Sequence, residues 1–349
     1  MDASAQKILK DLKAGKFKPV YVLQGEETYY IDVISTYIEN NALAEHERGF
    51  NQVVLYGKDT PIHVLLTHAK RYPMMSDRQV VIVREAQDIP DLQKEQGMKL
   101  MLDYLHRPVP STVLVLCHKH KTLDKRRELG KKVEQLAESA TFKKPYDNKL
   151  PEFVESYILD KSLTIDDYAV RLLCEYVGND LNRLANEMDK VAMSMKGTST
   201  ITAESIMQQV GISREYNIFE LQKAIITRDL LNAAKIVNYF EANSKRSPVI
   251  PMVAYLYSFF SKLLAASMIP DKSEKGLINS LKINPYAVKD YSLALRNFNT
   301  QSLEHSFAFI RQADLKLKGV NSGSQTEGQI LKELVRYAGL NQGALYLRT

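Results

Sequence analysis

Gly25 is where this chain offers its first opening for chemistry. The run Pro19-Val-Tyr-Val-Leu-Gln24 ends there, and Tyr30, Ile31, Val33, Ile34, Tyr37 and Ile38 follow at helical spacing, so the segment reads strand, turn, helix. That geometry aims backbone N–H groups at a bound phosphate. A phosphate loop also needs the pattern G-x-x-x-x-G-K-[ST], in which the second glycine lets the backbone approach, the lysine neutralises phosphate and the hydroxyl holds magnesium. Counted from Gly25, those three positions are Tyr30, Ile31 and Asp32, and Glu26 and Glu27 add negative charge where phosphate belongs. The companion signature, a strand ending in a magnesium-binding Asp, fails too. Gln79-Val-Val-Ile-Val83 runs into Arg84, a cation where the metal ligand should stand. Gly25, Tyr30, Ile31, Asp32 and Arg84 therefore outline a degenerate nucleotide site, with the shape of the module but not its chemistry.

Other reactive residue types carry less. Cys117-His-Lys-His120 sets two histidines at i and i+2, on one face if the strand continues. No carboxylate or further thiol lies nearby in sequence, so strand-end polarity is the expectation and no metal is assigned. Two cysteines in all, Cys117 and Cys174, exclude a disulfide framework or a four-cysteine zinc site. No Ser/His/Asp or Cys/His arrangement has the local context of a nucleophile, so no catalytic residue and no cofactor are expected. Lys119, Lys121, Lys125, Arg126, Arg127, Lys131 and Lys132 form a basic cluster interrupted by Glu128 and Glu134, either a solvated helix face or a phosphate contact. Tyr255, Tyr257, Phe259 and Phe260 share an apolar stretch at helical spacing, which favours packing over base stacking. Met74 and Met75, flanked by Pro73 and polar residues, are two flexible apolar side chains that suit either a partner's pocket or the cap of a core; the residues alone favour the core.

The elements that must position these residues alternate at first. Val53-Val-Leu-Tyr56 ends at Gly57 and a helix is expected over 61–69; Gln79–Val83 and Thr112–Cys117 are β-branched runs, near-continuously apolar as parallel strands covered on both faces should be. After about Phe142 the strand signals stop. Leu150, Phe153, Val154, Tyr157 and Ile158, then Leu181, Leu184, Ala185, Met188, Val191 and Ala192, fall at amphipathic helical spacing. From Tyr216 a longer helical region runs on, and the polar loop from Asn321 to Gly328 sets off a last helix. The expected architecture is an α/β domain with a parallel sheet followed by two all-α domains.

A chain of 349 residues exceeds what one core usually supports. Its 47 basic and 41 acidic residues leave a net charge of +6, which permits nucleic-acid contact without demanding it. The longest apolar runs, such as Val80–Val83 and Val113–Cys117, are far too short to cross a bilayer, and the first residues lack the apolar core of a secretory signal. A cytoplasmic protein without membrane contact is expected.

Several stretches, taken in order, resemble one family. Tyr21-Val-Leu-Gln-Gly25-Glu-Glu-Thr-Tyr-Tyr30 looks like the N-terminal signature of the delta subunit of the bacterial DNA polymerase III clamp loader, a degenerate member of the AAA+ superfamily. Ser76-Asp-Arg78-Gln79-Val-Val-Ile-Val83 resembles the lead into that family's central strand, and Lys121-Thr-Leu-Asp-Lys125-Arg126-Arg127-Glu-Leu its basic helix. Gly178-Asn-Asp-Leu181-Asn-Arg-Leu184-Ala-Asn-Glu187 resembles a helix of its second domain, while Ile218-Phe219-Glu-Leu221 and Ala313-Asp314-Leu-Lys316-Leu-Lys318-Gly319 extend the likeness into its collar region. The resemblance implies an AAA+-like clamp-binding domain over 1–143, a small lid-like helical domain over 144–211 and a helical collar over 212–349. It implies a noncatalytic part of a nucleotidyltransferase holoenzyme that binds and helps to open the sliding clamp during DNA replication. The implied partners are the clamp, other clamp-loader subunits and DNA within the assembled loader. It also places the clamp-binding wedge at Met74 and Met75, where family members often carry Leu-Phe, and a DNA contact at Lys125, Arg126 and Arg127. Two other readings compete: an active AAA+-type ATPase, against which the lost lysine and Asp speak, and an autonomous basic DNA-binding protein, which rests on the charge excess alone.

Overall fold

The structure is a computed structural model that describes residues 2–195, 199–210, 217–243 and 249–340. Tyr216, where the sequence places the start of the long helical region, lies outside the described residues. The chain divides into two compact units, Met1–Pro145 with Asp180–Asn182, and Tyr146–Asn179 with Arg183–Thr349.

The first unit alternates as the apolar runs require. Its order is α1 (Ala3–Lys13), β1 (Val20–Gly25), α2 (Thr28–Asn41), α3 (Glu45–Asn51), β2 (Gln52–Tyr56), α4 (Ile62–Ala69), β3 (Gln79–Arg84), α5 (Glu95–His106), β4 (Thr112–Lys119), α6 (Glu128–Leu136) and β5 (Glu138–Phe142). The strands form one sheet in the order β2-β3-β4-β1-β5, and every pairing is parallel. Central strands β1, β3 and β4 are buried almost throughout, because helices cover both faces, and the polar side chains buried among them, Gln24, Gln79, Thr112 and His118, are each hydrogen-bonded. One core gathers Val20, Val22, Val81, Val83, Leu114 and Leu116 from the sheet with Leu65 of α4, Met101 of α5 and Val133 of α6. The parallel register pairs Gly25 with Lys119 and Val83 with Leu116, so β1, β3 and β4 end along one edge of the sheet.

Two local expectations are corrected. The stretch Lys121–Arg127 is not helical: α6 begins at Glu128, with Arg127 as its extended N-cap residue. The Asp124 carboxylate accepts the Arg126 backbone N–H at 2.9 Å and the Arg126 Nε–H at 3.1 Å, and this local turn competes with the helix. Strand β4 also stops before His120, whose φ of +61° turns the chain, so His118 and His120 do not share a strand face.

Among the described residues, the second unit is helical apart from the two-residue parallel pair β6 (Thr164–Ile165) and β7 (Thr200–Ile201). Its first helices are α7 (Leu150–Leu159), α8 (Asp167–Val177), α9 (Leu181–Ser194), whose first two residues group with the other unit, and α10 (Ala203–Val210). The remainder are α11 (Ile218–Ile226), α12 (Leu230–Ala242), α13 (Val249–Met268), α14 (Glu274–Leu281), α15 (Val288–Asn297), α16 (Thr300–Leu317) and α17 (Glu327–Leu340). Helix α13 corrects the sequence reading in one respect, since it is long and apolar enough by length and composition to cross a membrane. Here it is the central core helix: Val253, Leu256, Phe260 and Leu263 are buried against α11, α15, α16 and α17. Phe259 and Phe260 pack in that core, whereas Tyr257 is exposed on the surface with its ring edge-on to Phe307.

A charged network ties α8 to the helices that follow it. Arg171 Nε lies 2.9 Å from Glu175 Oε1, and the same guanidinium bonds Asp290 of α15. The Tyr255 hydroxyl lies 2.9 Å from Glu175 Oε2 and within reach of the Gln222 side-chain oxygen, while Gln222 Nε2 donates to Asp290. Burial disfavours the charge on Arg171, and the two carboxylates more than offset it.

Candidate functional site

At the carboxyl edge of the sheet, where open α/β folds bind ligands, the chain has filled the space with its own side chains. Gly25 adopts φ +129°, and a Cβ there would sit 2.0 Å from the Phe142 carbonyl oxygen, so only glycine lets β5 approach β1 this closely. Glu27 caps α2: its carboxylate accepts the Tyr29 N–H at 2.9 Å, and its own N–H donates to the Phe142 carbonyl. An anion thus already occupies the helix N-terminus that a phosphate would need. Tyr30 and Ile31, which stand in the glycine and lysine positions, are buried, and the Tyr30 ring lies 5.5 Å from that of Phe142. Asp32 pairs with Lys119 at 2.6 Å, and Arg84 pairs with Glu39 at 2.7 Å. Both cations at the strand ends are therefore spent on carboxylates of α2. Gly25, Asp32 and Arg84 gather along this edge and helix; Tyr30 and Ile31 belong to the core.

Glu27 carries a testable cost. Burial raises its pKa above the ordinary carboxylate value. A raised folded pKa means the unfolded chain ionises first, so the native state is penalised once the pH passes through the folded value. Glu27→Gln retains an oxygen for the Tyr29 N–H and removes that penalty. Thermal melting should show the variant more stable than the parent at neutral pH, the gain fading toward and below pH about 4.3. A lower melting temperature at neutral pH would mean that the charge itself holds the turn.

The second candidate lies at the opposite edge of the sheet, on the loop entering β3. Met74 is 56% exposed and Met75 is wholly exposed, so neither caps a core. Tyr72 beside them and Phe50 on α3 are exposed as well. The loop is pinned at both ends. Gln79 Nε2 donates to the Arg71 carbonyl and to Thr112 Oγ1, the Ser76 hydroxyl donates to the Arg78 carbonyl at 3.1 Å, and the Arg78 guanidinium lies 4.7 Å from the centre of the Phe17 ring. Between these anchors Asn51 bonds both backbone polar groups of Met74, and Met75 takes a left-handed φ of +52°.

The basic segment is an exposed turn with its charges engaged. Lys125 pairs with Glu134, Arg126 with Asp124, and Arg127 donates to the Gln93 carbonyl. His118 is buried with Nδ1 2.9 Å from the Lys121 carbonyl oxygen, and burial lowers its pKa. Among the described residues no cluster of His, Cys, Asp and Glu is arranged to hold a metal. Sequence reasoning missed the parts played by Glu27, Glu39, Asn51 and Lys119. Lys119 was visible as a cation at a strand end, but nothing local pointed to its partner 87 residues away.

Fold and site together define an AAA+-like α/β module with ion pairs between α2 and the strand ends along the carboxyl edge of its sheet, carried on a chain that continues into a helical region. Profiles of the DNA polymerase III delta subunit match residues 21–144, and of that subunit's C-terminal domain residues 215–334. The DNA polymerase III subunit delta of Bacillus subtilis is 24% identical over 333 residues, covering 94% of each chain. The solved structure of the Bacillus subtilis DNA clamp loader delta protein covers 96% of this chain and 99% of its own, with a TM-score of 0.59 and 23% identity, and so shares the fold. The chain belongs to the DNA polymerase III delta-subunit family and is a noncatalytic clamp-loader subunit of DNA replication.

Proposed function

We propose that this chain grips the sliding clamp through Met74 and Met75 and so helps to open the ring. The observation that carries the reading is the pair of exposed methionines on a pinned loop, in a domain whose other candidate site is closed. Two flexible apolar side chains held away from their own core suit a partner's hydrophobic pocket. Residues 1–143 serve as the clamp-binding domain, 144–211 as the connecting domain and 212–349 as the collar that meets other loader subunits. Within the assembled loader, Lys125, Arg126 and Arg127 are the candidates for a DNA contact. Lys125 and Arg126 must exchange Glu134 and Asp124 for phosphate to make it. The protein is read as cytoplasmic.

Clamp capture tests the reading. Immobilised full-length chain should bind purified sliding clamp saturably, with the same affinity with and without magnesium-ATP. Failure to capture the clamp would overturn the grip, and an affinity that changes with ATP would overturn the closed nucleotide site.

A further inference from the structure

A loop of exposed residues ordinarily samples many conformations, and a partner that selects one of them meets the ordering cost on binding. Met74–Met75 departs from that expectation because of Asn51. This residue ends α3 and is buried, and its carboxamide grips one peptide on both sides: Nδ2 donates to the Met74 carbonyl at 2.9 Å, and Oδ1 accepts the Met74 N–H at 2.7 Å. Nδ2 also lies 3.2 Å from the Glu47 carbonyl, within its own helix. The pattern resembles the paired bonds of a neighbouring strand, supplied here by a side chain 23 residues away. The residue that follows shows the same constraint. Met75 is not glycine yet holds φ +52°, a strained conformation that persists only where neighbours fix it.

We infer that Asn51 is a positioning residue that holds Met74 and Met75 in their clamp-ready arrangement before the clamp arrives. The inference rests on the proposed grip. Its physical content is preorganisation: Asn51 is buried, and it acts by removing conformations in which the two methionines point elsewhere. Loss of Asn51 leaves both methionine side chains present and the sheet core untouched, but frees the peptide that aims them.

The test uses the full chain and three measurements. Hydrogen exchange on the unliganded protein should find the Met74 amide protected in the parent and fast in Asn51→Ala, with no clamp involved. Surface plasmon resonance should give about tenfold weaker clamp binding for Asn51→Ala at unchanged melting temperature, about 1.4 kcal/mol. In a background where Met74 and Met75 are both serine, Asn51→Ala should cause no further loss, since there is nothing left to aim. Asn51→Asp, which keeps the acceptor but sets an oxygen against the Met74 carbonyl, gives the same comparison should the alanine variant not fold. A fast-exchanging Met74 amide in the parent would overturn the inference, and so would an equal loss of affinity in both backgrounds. The grip itself fails separately, if the double serine variant binds the clamp as tightly as the parent.

Discussion

Replacing Met74 and Met75 together with serine should weaken clamp binding by about 2 kcal/mol, the scale of an interface hot spot, while leaving the fold intact. The two halves of that expectation come from the same observation. Side chains this exposed contribute little to the core, so their loss should move thermal stability by less than about 0.5 kcal/mol. The same exposure leaves their apolar surface in water until a partner covers it, and burying a methionine side chain is worth about 1.5–3 kcal/mol. The pinned ends of the loop, through Gln79 and Arg78, do not use either methionine side chain and should survive the change. Surface plasmon resonance against the clamp decides it. Unchanged affinity moves the contact to another exposed apolar residue, such as Tyr72 or Phe50, the neighbour of Asn51, and a variant that unfolds returns the pair to a structural role. Affinity alone does not measure opening: that requires contacts that differ between closed and open rings.

Arg171→Met should lower the stability of the helical unit by about 3 kcal/mol. The substitution keeps an unbranched chain but removes the cation between Glu175 and Asp290, whose side chains are only 11% and 16% exposed. Two carboxylates then face each other in a poorly solvated place with Tyr255 and Gln222 as neutral company. Glu175, whose pKa burial already raises, should hold its proton to higher pH in the folded variant than in the unfolded chain. The deficit should therefore be full at neutral pH and shrink as the pH falls toward and below about 4.3, where Glu175 takes up its proton in the unfolded chain as well. Denaturant unfolding of parent and variant at the two pH values measures this directly. A midpoint unaffected by Arg171→Met at neutral pH would mean that the network adds nothing to the packing of α13 and its neighbours.

Much of the α/β unit could be read from the sequence because burial on both faces leaves a chemical trace. Strands β1, β3 and β4 are centred on apolar runs, Val20–Leu23, Val80–Val83 and Val113–Cys117, which the sequence displays directly. Strand β5 left no such trace. Its sequence Glu-Ser-Ala-Thr-Phe lies at the sheet edge, where only Ala140 and Phe142 are buried. The basic stretch looked helical from its composition, but a single short-range bond from Asp124 to the Arg126 N–H stops the helix from starting early. Asn51 and Glu27 were illegible for another reason. Their importance lies in what they touch, and neither a buried amide gripping a distant peptide nor a carboxylate seated on a helix end has a periodicity of its own.

The Glu27 cap has a thermodynamic meaning beyond the lost motif. A ligand can shift a protein between states only by binding one of them better than another. With the chain's own carboxyl group covalently tethered at the N-terminus of α2, the position that an added anion would take is met by the chain itself. On the reading proposed above, free nucleotide would then have no leverage on its shape, because the chain's own group stands where the added anion would have to bind. On the proposed reading, such a subunit would act as a fixed reference, its clamp-binding surface keeping one setting while the neighbours around it change.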